Sequence, residues 1–183
     1  MSKRKLLMVA AAAMGLMGAI AYSAEETKRT FGEYTDDTMT LGKVKSALAS
    51  DGTTEAHEIN VEVNKGIVQL NGFVDTAKEK AQATTVAQAV KGVKSVENNL
   101  IVKTEGSSTG QSIDDSTVTS KVNTALIESK ETKAGDIKVA THNGVVQLSG
   151  FVDDEAQKTA AGKVAQSVKG VKSVKNDLHV KGT

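Results

Sequence analysis

The sequence contains two copies of one unit, because residues 36–104 align with residues 114–182 at a constant offset of 78 without a gap. Of the 69 aligned positions, 34 are identical. Solenoid repeats run to roughly 20–50 residues, whereas about 70 residues can form a small domain with its own core. The sequence therefore predicts two tandem domains. A residue found in only one copy is a poor candidate for a function that both copies share.

The segments outside the repeats predict export and flexible connections. A basic start at residues 3–5 precedes the uncharged, apolar run 6–21, which is shorter than the roughly 20 residues of a membrane-spanning helix. This pattern is typical of a cleaved secretory signal peptide over residues 1–21, with a retained membrane anchor as the alternative. The polar residues 22–35 predict a flexible tail, and the Gly/Ser-rich residues 105–113 predict a flexible linker. The chain has no cysteine, which excludes disulfides and a lipidated cysteine.

The composition argues against several classes of function. The 23 basic and 22 acidic side chains nearly balance, so the sequence lacks the excess basic charge of a nucleic-acid-binding domain. Aromatic residues make up only 3% of the chain, which leaves few rings for stacking on bases or sugars. Phe73 and Phe151 recur between the repeats, but both lie in apolar strands and are predicted to be core residues.

Each repeat begins with the pattern of an amphipathic helix. Aspartates before it are expected to cap the N-terminus, and apolar side chains then recur at helical spacing. The predicted caps are Asp36, Asp37, Asp114 and Asp115, and the predicted buried faces are Leu41, Val44, Ala47 and Leu48 in the first repeat and Val118, Val122, Ala125 and Leu126 in the second.

A hairpin follows in each repeat, predicted from alternating apolar and polar residues on either side of a two-residue turn. Lys65-Gly66 and Asn143-Gly144 suit such turns, because the turns need positive φ. A second glycine lies inside each returning strand, where it predicts the close approach of another element. These strand glycines are Gly72 and Gly150.

The longest predicted helix comes next and opens at Asp75 or Asp153, which we interpret as N-caps. Its buried face is rich in alanine, which would let the helix lie close to a thin sheet. A lysine in the last turn and a glycine after it are expected to end the helix. These residues are Lys91 and Gly92 in the first repeat and Lys169 and Gly170 in the second.

A last strand, predicted to pair in parallel with one strand of the hairpin, completes each repeat. The expected fold class is therefore α+β, with two tandem αββαβ domains. Each domain would contain a three-stranded mixed sheet with two helices on one face.

The sequence offers little for catalysis. His57, His142 and His179 have no histidine at the corresponding positions of the other repeat, so they are poor candidates for a shared metal site or general base. No cysteine nucleophile, phosphate-binding loop or His-Glu-x-x-His motif is present. We therefore expect a protein that is not an enzyme and that uses neither a metal nor a cofactor.

The residues quoted above resemble the BON-domain family. Residues 144–152 read Gly-Val-Val-Gln-Leu-Ser-Gly-Phe-Val, and residues 168–178 read Val-Lys-Gly-Val-Lys-Ser-Val-Lys-Asn-Asp-Leu. The resemblance implies the αββαβ fold, a periplasmic location and expression linked to osmotic stress. It also implies binding to phospholipid or to unfolded and outer-membrane client proteins, and it implies no enzyme.

Recurring lysines are the one surface feature that both repeats share. They are interpreted either as compensation of helix dipoles with protection of a strand edge, or as a weak site for anionic lipid headgroups, strongest in the second repeat. The candidate binding residues are Lys91 and Lys94 in the first repeat and Lys169, Lys172, Lys175 and Lys181 in the second.

Two functions remain open at this point. The first is a chaperone-like periplasmic binder that holds client proteins on apolar grooves beside its sheets. The alternative is a peripheral module that binds anionic phospholipid at the periplasmic membrane face. The sequence does not identify the clients or the oligomeric state.

Overall fold

The protein consists of two αββαβ domains, and the computed structural model describes residues 31–103 and 109–182. Domain 1 comprises α1 (Phe31–Ser50), β1 (Ile59–Asn64), β2 (Ile67–Val74), α2 (Ala77–Gln88), β3 (Ser95–Asn98) and β4 (Ile101–Val102). Domain 2 comprises α3 (Thr109–Glu128), β5 (Ile137–His142), β6 (Val145–Val152), α4 (Glu155–Ser167) and β7 (Ser173–Val180). One turn of 3-10 helix precedes β1 and another precedes β5. The predicted signal peptide lies outside the described residues.

The second hairpin strand is central in each sheet. In domain 1, β2 pairs antiparallel with β1 and parallel with β3 and β4, which together form an interrupted last strand. In domain 2, β6 pairs antiparallel with β5 and parallel with the continuous strand β7. The predicted α+β class with mixed sheets is confirmed.

Each domain has its own apolar core between its two helices and one face of its sheet. In domain 1, Leu48 of α1 and Ala87 of α2 pack with Leu70 of β2, and all three are at most 1% exposed. The equivalent cluster in domain 2 contains Leu126, Ala165 and Leu148. Leu48 and Leu126 lie on the buried helical faces that the sequence predicted. The alanines of α2 and α4 allow these helices to pack closely on the sheet.

The first helix of each domain begins earlier than predicted. Helix α1 starts at Phe31, so residues 31–35 of the predicted tail are helical. Helix α3 starts at Thr109, so residues 109–113 of the predicted linker are helical as well. The aspartates predicted to cap these helices therefore lie within them, and that prediction was wrong for Asp36, Asp37, Asp114 and Asp115.

The predicted caps of the second helices were also wrong, by one residue. The side chain of Thr76 accepts a hydrogen bond from the backbone N–H of Glu79 at the start of α2. Asp154 caps α4 in the same way. Asp75 and Asp153, one residue earlier, instead accept hydrogen bonds from lysine side chains.

The second helices end earlier than predicted. Helix α2 stops at Gln88 and α4 at Ser167, and neither has a basic residue in its last turn. Lys91 and Lys169 therefore lie in loops, and the predicted compensation of the helix dipole by these lysines was wrong. The loops turn at glycines with φ values of 108° and 106°, at Gly92 and Gly170.

The hairpin turns form where they were predicted. Both turn residues have positive φ, with values of 52° at Lys65 and 81° at Gly66. The second turn, at Asn143 and Gly144, has values of 53° and 78°. Positive φ at both central positions is typical of the type I′ turn, whose twist matches that of the flanking strands.

The predicted close approach at the strand glycines is also observed. A Cβ atom on Gly72 would lie 2.0 Å from the carbonyl oxygen of Glu58. A Cβ on Gly150 would lie 2.2 Å from the carbonyl oxygen of Asp136. Only glycine leaves room for the backbone that leads into the neighbouring strand here.

The two domains pack against each other through the sheet faces that their own helices leave uncovered. Gln147 of domain 2 accepts a hydrogen bond from the backbone N–H of Gly72 at 2.8 Å. Gln69 of domain 1 accepts the equivalent bond from Gly150 at 3.2 Å. Both glutamines are 1% exposed. Because equivalent residues make equivalent contacts in both directions, the interface has approximate two-fold symmetry.

Two further hydrogen bonds repeat the same symmetry. The amide nitrogen of Gln147 donates to the carbonyl oxygen of Asn99 at 2.9 Å. The amide nitrogen of Gln69 donates to the carbonyl oxygen of Asp177 at 3.3 Å. Both the oxygen and the nitrogen of each glutamine side-chain amide are therefore hydrogen-bonded to the backbone of the other domain.

Phe73 and Phe151 are buried, as predicted, although they lie outside the two apolar clusters between the helices and the sheets. The ring of Phe73 lies 5.3 Å from that of His142 in the other domain. Phe151 lies 5.6 Å from His179, which is also 3.4 Å from the Glu97 carboxylate of domain 1. Both phenylalanines share the uncovered sheet face with the two glutamines.

Candidate functional site

A pocket of similar construction lies in each domain, where the first helix, the hairpin turn and the loop after the second helix meet. Its volume is about 410 Å³ in domain 1 and about 330 Å³ in domain 2. We call these the domain 1 and domain 2 lysine pockets. Their charged residues are Asp36, Asp37, Lys43, Lys65, Lys91 and Lys94 in domain 1, and Asp114, Asp115, Lys121, Lys169 and Lys172 in domain 2.

An aspartate forms the floor of each pocket and binds the hairpin turn. The two carboxylate oxygens of Asp37 accept hydrogen bonds from the backbone N–H groups of Lys65 and Gly66, at 2.7 and 2.8 Å. Asp115 holds the second turn through equivalent bonds of 2.6 and 2.8 Å. Because both oxygens are engaged and the residues are less than 10% exposed, these carboxylates are poorly placed to neutralise the lysines around them.

The loop after the second helix closes the pocket against the turn. The backbone N–H of Lys94 donates to the carbonyl oxygen of Gly66 at 2.9 Å. A Cβ on Gly92 would lie 2.5 Å from the Thr40 hydroxyl, so a larger residue would push this loop away from α1. The loop thus places Lys91 and Lys94 beside the turn.

Most lysines of the two pockets are exposed, and they form no ion pairs with other described residues. Lys43, Lys91 and Lys94 are exposed, as are their counterparts in domain 2. No carboxylate oxygen of another described residue lies within 4.0 Å of the ammonium nitrogens of these lysines or of Lys65. An ammonium group without an ion-pair partner can bind an incoming anion without first losing an existing contact.

The structure brings together some of the lysines predicted as binding residues and separates others. Lys169 and Lys172 share the domain 2 lysine pocket. Lys175 projects from β7 and pairs with Asp177 at 3.5 Å. Lys181 follows the other end of β7, roughly 30 Å from Lys172 at about 3.3 Å per strand residue. The predicted cluster of four lysines in the second repeat is therefore not one surface.

Lys181 belongs to a group of ion pairs at that far end. Its ammonium nitrogen lies 2.7 Å from Asp153 and 2.9 Å from Asp136, and Lys133 also bonds to Asp153. Hydrogen bonds from Lys133 and then Lys181 lower the pKa of the Asp153 carboxyl to about 2. Burial opposes the charge of Lys181, but bonds to the two aspartates outweigh it and raise the pKa of this lysine. In domain 1, Lys103 pairs with Asp75 and Glu58 in the same way.

Sequence reasoning missed two contributors to the pockets. Lys43 recurs as Lys121 at the repeat offset, so the comparison of the two copies contained the signal. Lys65 does not recur, because Asn143 stands at its position. Four lysines consequently line the domain 1 lysine pocket and three line the domain 2 lysine pocket, whereas the sequence had placed more candidate lysines in the second repeat.

Exposed apolar surface is limited. Met39 at 57% and Ile127 at 71% are the large hydrophobic residues classed as exposed in the part of the chain that the structure describes. Met39 lies at the domain 1 lysine pocket. Across residues 31–103 and 109–182, no helix is both long enough and apolar enough to span a membrane.

One group of possible metal ligands occurs in domain 1. Ligand atoms of Glu55, His57 and Glu58 lie within 4.8 Å of one another. Glu58, however, already forms an ion pair with Lys103. The corresponding residues of domain 2 are Lys133, Gly135 and Asp136, so the second repeat does not reproduce this group. We do not assign a metal site to it.

The fold agrees with comparison to known families. The family model of the BON domain matches residues 36–104 and 114–182, so the chain belongs to the BON-domain family. It is 40% identical to the osmotically-inducible protein Y of Escherichia coli over 82% of this chain and 75% of that protein. It is 35% identical to the outer membrane lipoprotein DolP of Haemophilus influenzae, over 86% of this chain and 81% of the relative. A 21 kDa hemolysin of Actinobacillus pleuropneumoniae is 34% identical over 80% and 75% of the two chains.

Proposed function

We propose that this chain is a non-enzymatic protein of the bacterial envelope that binds anionic phospholipid headgroups at the periplasmic membrane face. The observation that supports it most is the repetition of the lysine pocket. Seven of the ten residues that line each pocket are identical between the domains, against 34 of 69 positions over the whole repeat. A pocket kept in both copies, with lysines that have no ion-pair partner among the described residues, suits a phosphate group.

The neighbourhood of the domain 1 lysine pocket also suits a lipid surface. Met39 is an exposed apolar side chain beside the lysines, and such a side chain can enter the headgroup region while the ammonium groups contact phosphates. Each lysine near an anionic membrane contributes about 1 kcal/mol, so a pocket with three or four gives measurable but salt-sensitive binding.

The envelope location rests on two kinds of support. The predicted signal peptide directs the chain across the inner membrane, into the periplasm. Two of the relatives carry the descriptions osmotically-inducible protein and outer membrane lipoprotein. A role in osmotic or envelope protection is consistent with both descriptions.

Client binding is the alternative function. It was expected to use apolar grooves beside the sheets, but helices cover one face of each sheet and the other domain covers the opposite face. Met39 and Ile127 would remain as apolar contacts for a client. The lysine pockets therefore favour the lipid function over the client function.

Liposome flotation tests the proposal. We expect the wild-type protein to float with vesicles of phosphatidylglycerol and phosphatidylcholine, less so at high salt, and not with phosphatidylcholine alone. Lys94→Glu combined with Lys172→Glu should abolish flotation. Lys130→Glu combined with Lys163→Glu makes the same change in net charge at exposed lysines outside the pockets and should retain it. If the wild type does not float but suppresses aggregation of an unfolded protein, client binding is the better account.

A further inference from the structure

The interface between the domains fixes the relative positions of the two lysine pockets. In β2, Gln69 contacts Gly150, and Gly72, three residues later, contacts Gln147. In β6, however, Gln147 comes three residues before Gly150. The central strands of the two domains therefore run in opposite directions across the interface. Since each pocket lies at the turn where its central strand begins, the two pockets lie at opposite ends of the molecule.

A cleft between the domains also indicates that the domain 2 lysine pocket lies near the end of domain 1 that is opposite the domain 1 lysine pocket. Its volume is about 680 Å³, and it is lined by Asp75 and Lys103 from domain 1 and by Asp115 and His142 from domain 2. Asp115 is the floor of the domain 2 lysine pocket, whereas Asp75 follows the end of β2. Eight strand residues at about 3.3 Å each separate this end from Gly66 in the domain 1 pocket, a distance of roughly 25 Å.

The separation is held by buried contacts. Gln69 and Gln147 are almost completely buried, and each is bound at both ends by the backbone of the opposite domain. Such an interface resists the rotation that would bring both pockets to one side. Two modules on a freely flexible linker could move both binding sites to one end, whereas this interface keeps the two pockets at opposite ends of the molecule.

We infer that the protein binds two anionic lipid surfaces at once, one at each end, and so tethers apposed membranes. This inference rests on the proposed lipid binding and adds the arrangement of the two sites. Its ligand is an anionic phospholipid headgroup in each pocket. The tether would be weak and sensitive to salt, because every contact depends on exposed lysines.

The test measures vesicle tethering and vesicle binding side by side. Two populations of phosphatidylglycerol and phosphatidylcholine vesicles carry different fluorophores, and coincident diffusion reports tethering while flotation reports binding. We expect the full chain to produce coincidence that salt reverses. One variant combines Lys91→Glu with Lys94→Glu, and the other combines Lys169→Glu with Lys172→Glu. Each should lose coincidence while flotation falls only about twofold, because one of two sites remains.

A mixture of the two single-pocket variants separates tethering by one molecule from tethering by oligomers. If one molecule joins two vesicles, the mixture should not restore coincidence. Restoration would overturn the inference, as would wild-type protein that floats without tethering or single-pocket variants that tether like the wild type. Absence of flotation by the wild type would overturn both the inference and the proposed function. The Lys130→Glu and Lys163→Glu variant should bind and tether as the wild type does.

Discussion

The side-chain oxygen of Gln147 lies 2.8 Å from the backbone nitrogen of Gly72, in the other domain. This contact joins a recurring glutamine to a recurring glycine, and Gln69 with Gly150 repeats it. The glycine has a φ of 132°, a conformation that L side chains rarely adopt. The same glycine thus leaves room for the backbone of its own domain and donates its N–H to a glutamine of the other domain.

Removal of the two interface glutamines should separate the unfolding of the domains. In Gln69→Ala combined with Gln147→Ala, buried N–H and carbonyl groups lose their partners, at about 1–3 kcal/mol for each unsatisfied group. We expect one urea transition for the wild type and two transitions, at lower urea, for the variant when followed by circular dichroism. Gln88→Ala combined with Gln166→Ala alters exposed recurring glutamines and is the control. Equal stability of the two variants would contradict the assigned role of the interface.

Adding a methyl group at the strand glycines should be strongly destabilising. In Gly72→Ala the new Cβ would lie 2.0 Å from the Glu58 carbonyl oxygen, so the backbone must shift. We expect the free energy of unfolding to fall by at least about 2–3 kcal/mol, within the range for strained backbone. Gly42→Ala in α1, where nothing lies within 4 Å of the new Cβ, should instead stabilise by about 0.5–1 kcal/mol. A Gly72→Ala melting temperature at or above that of wild type would contradict the close approach of the Glu58 carbonyl oxygen to Gly72.

The aspartate beneath each hairpin turn should matter for stability, although sequence analysis assigned it to a helix cap. Asp37→Asn keeps the size of the side chain but replaces one acceptor oxygen with an NH₂ group that faces a backbone N–H. Hydrogen bonds to charged groups contribute about 1.5–3 kcal/mol, so we expect a loss of that order in the free energy of unfolding. Asp36→Asn, at the exposed neighbouring position, should change stability little. Equal thermal unfolding of the two variants would argue against stabilisation of the hairpin turn by Asp37.

Acid should weaken domain 2 through Asp153. Its pKa is lowered to about 2 in the folded protein by Lys133 and Lys181, from an ordinary value of 3.8. Because the folded pKa is the lower one, the ion-pair contribution is fully present above about pH 4 and is lost as pH falls toward 2. The carboxylate side chain is 37% exposed, so solvent screens the effect and it should be small.

Urea unfolding at a series of pH values between 2 and 5 measures this contribution. Asp153→Asn should reduce the loss of stability across that range, because it removes the carboxylate that pairs with Lys133 and Lys181. A wild-type and an Asp153→Asn protein with parallel pH profiles would show that the ion pairs do not contribute.

The sequence predicted the internal structure of each repeat, because apolar periodicity indicates the core of a single domain. Val44 and Leu48 were assigned to the buried face of the first helix and lie there. The turn glycines were found because a two-residue turn restricts φ so severely. These features depend on local geometry, which the order of residues encodes directly.

The pairing of the domains could not be predicted in the same way. Gln69 occupies a polar position in an alternating strand, where the pattern indicates a solvent-facing side chain. Its burial depends on a second sheet that is distant in sequence. Its recurrence at position 147 was visible, but recurrence alone does not distinguish a binding residue from an interface residue. Asp37 was misassigned for a similar reason, since its partner turn lies 28 residues away.

The hydrogen bonds between the domains also determine how freely the two copies can diverge. Two of these bonds end on the backbone carbonyl oxygens of residues 99 and 177, so the side chains at those positions do not take part in them. Asn99 and its counterpart Asp177 differ, yet both accept through their carbonyl oxygens. A substitution at such a position leaves the bond in place, whereas substitution of either glutamine removes it. The repeats can therefore acquire separate ligand preferences at their surfaces while the joint between them is specified by two pairs of identical residues.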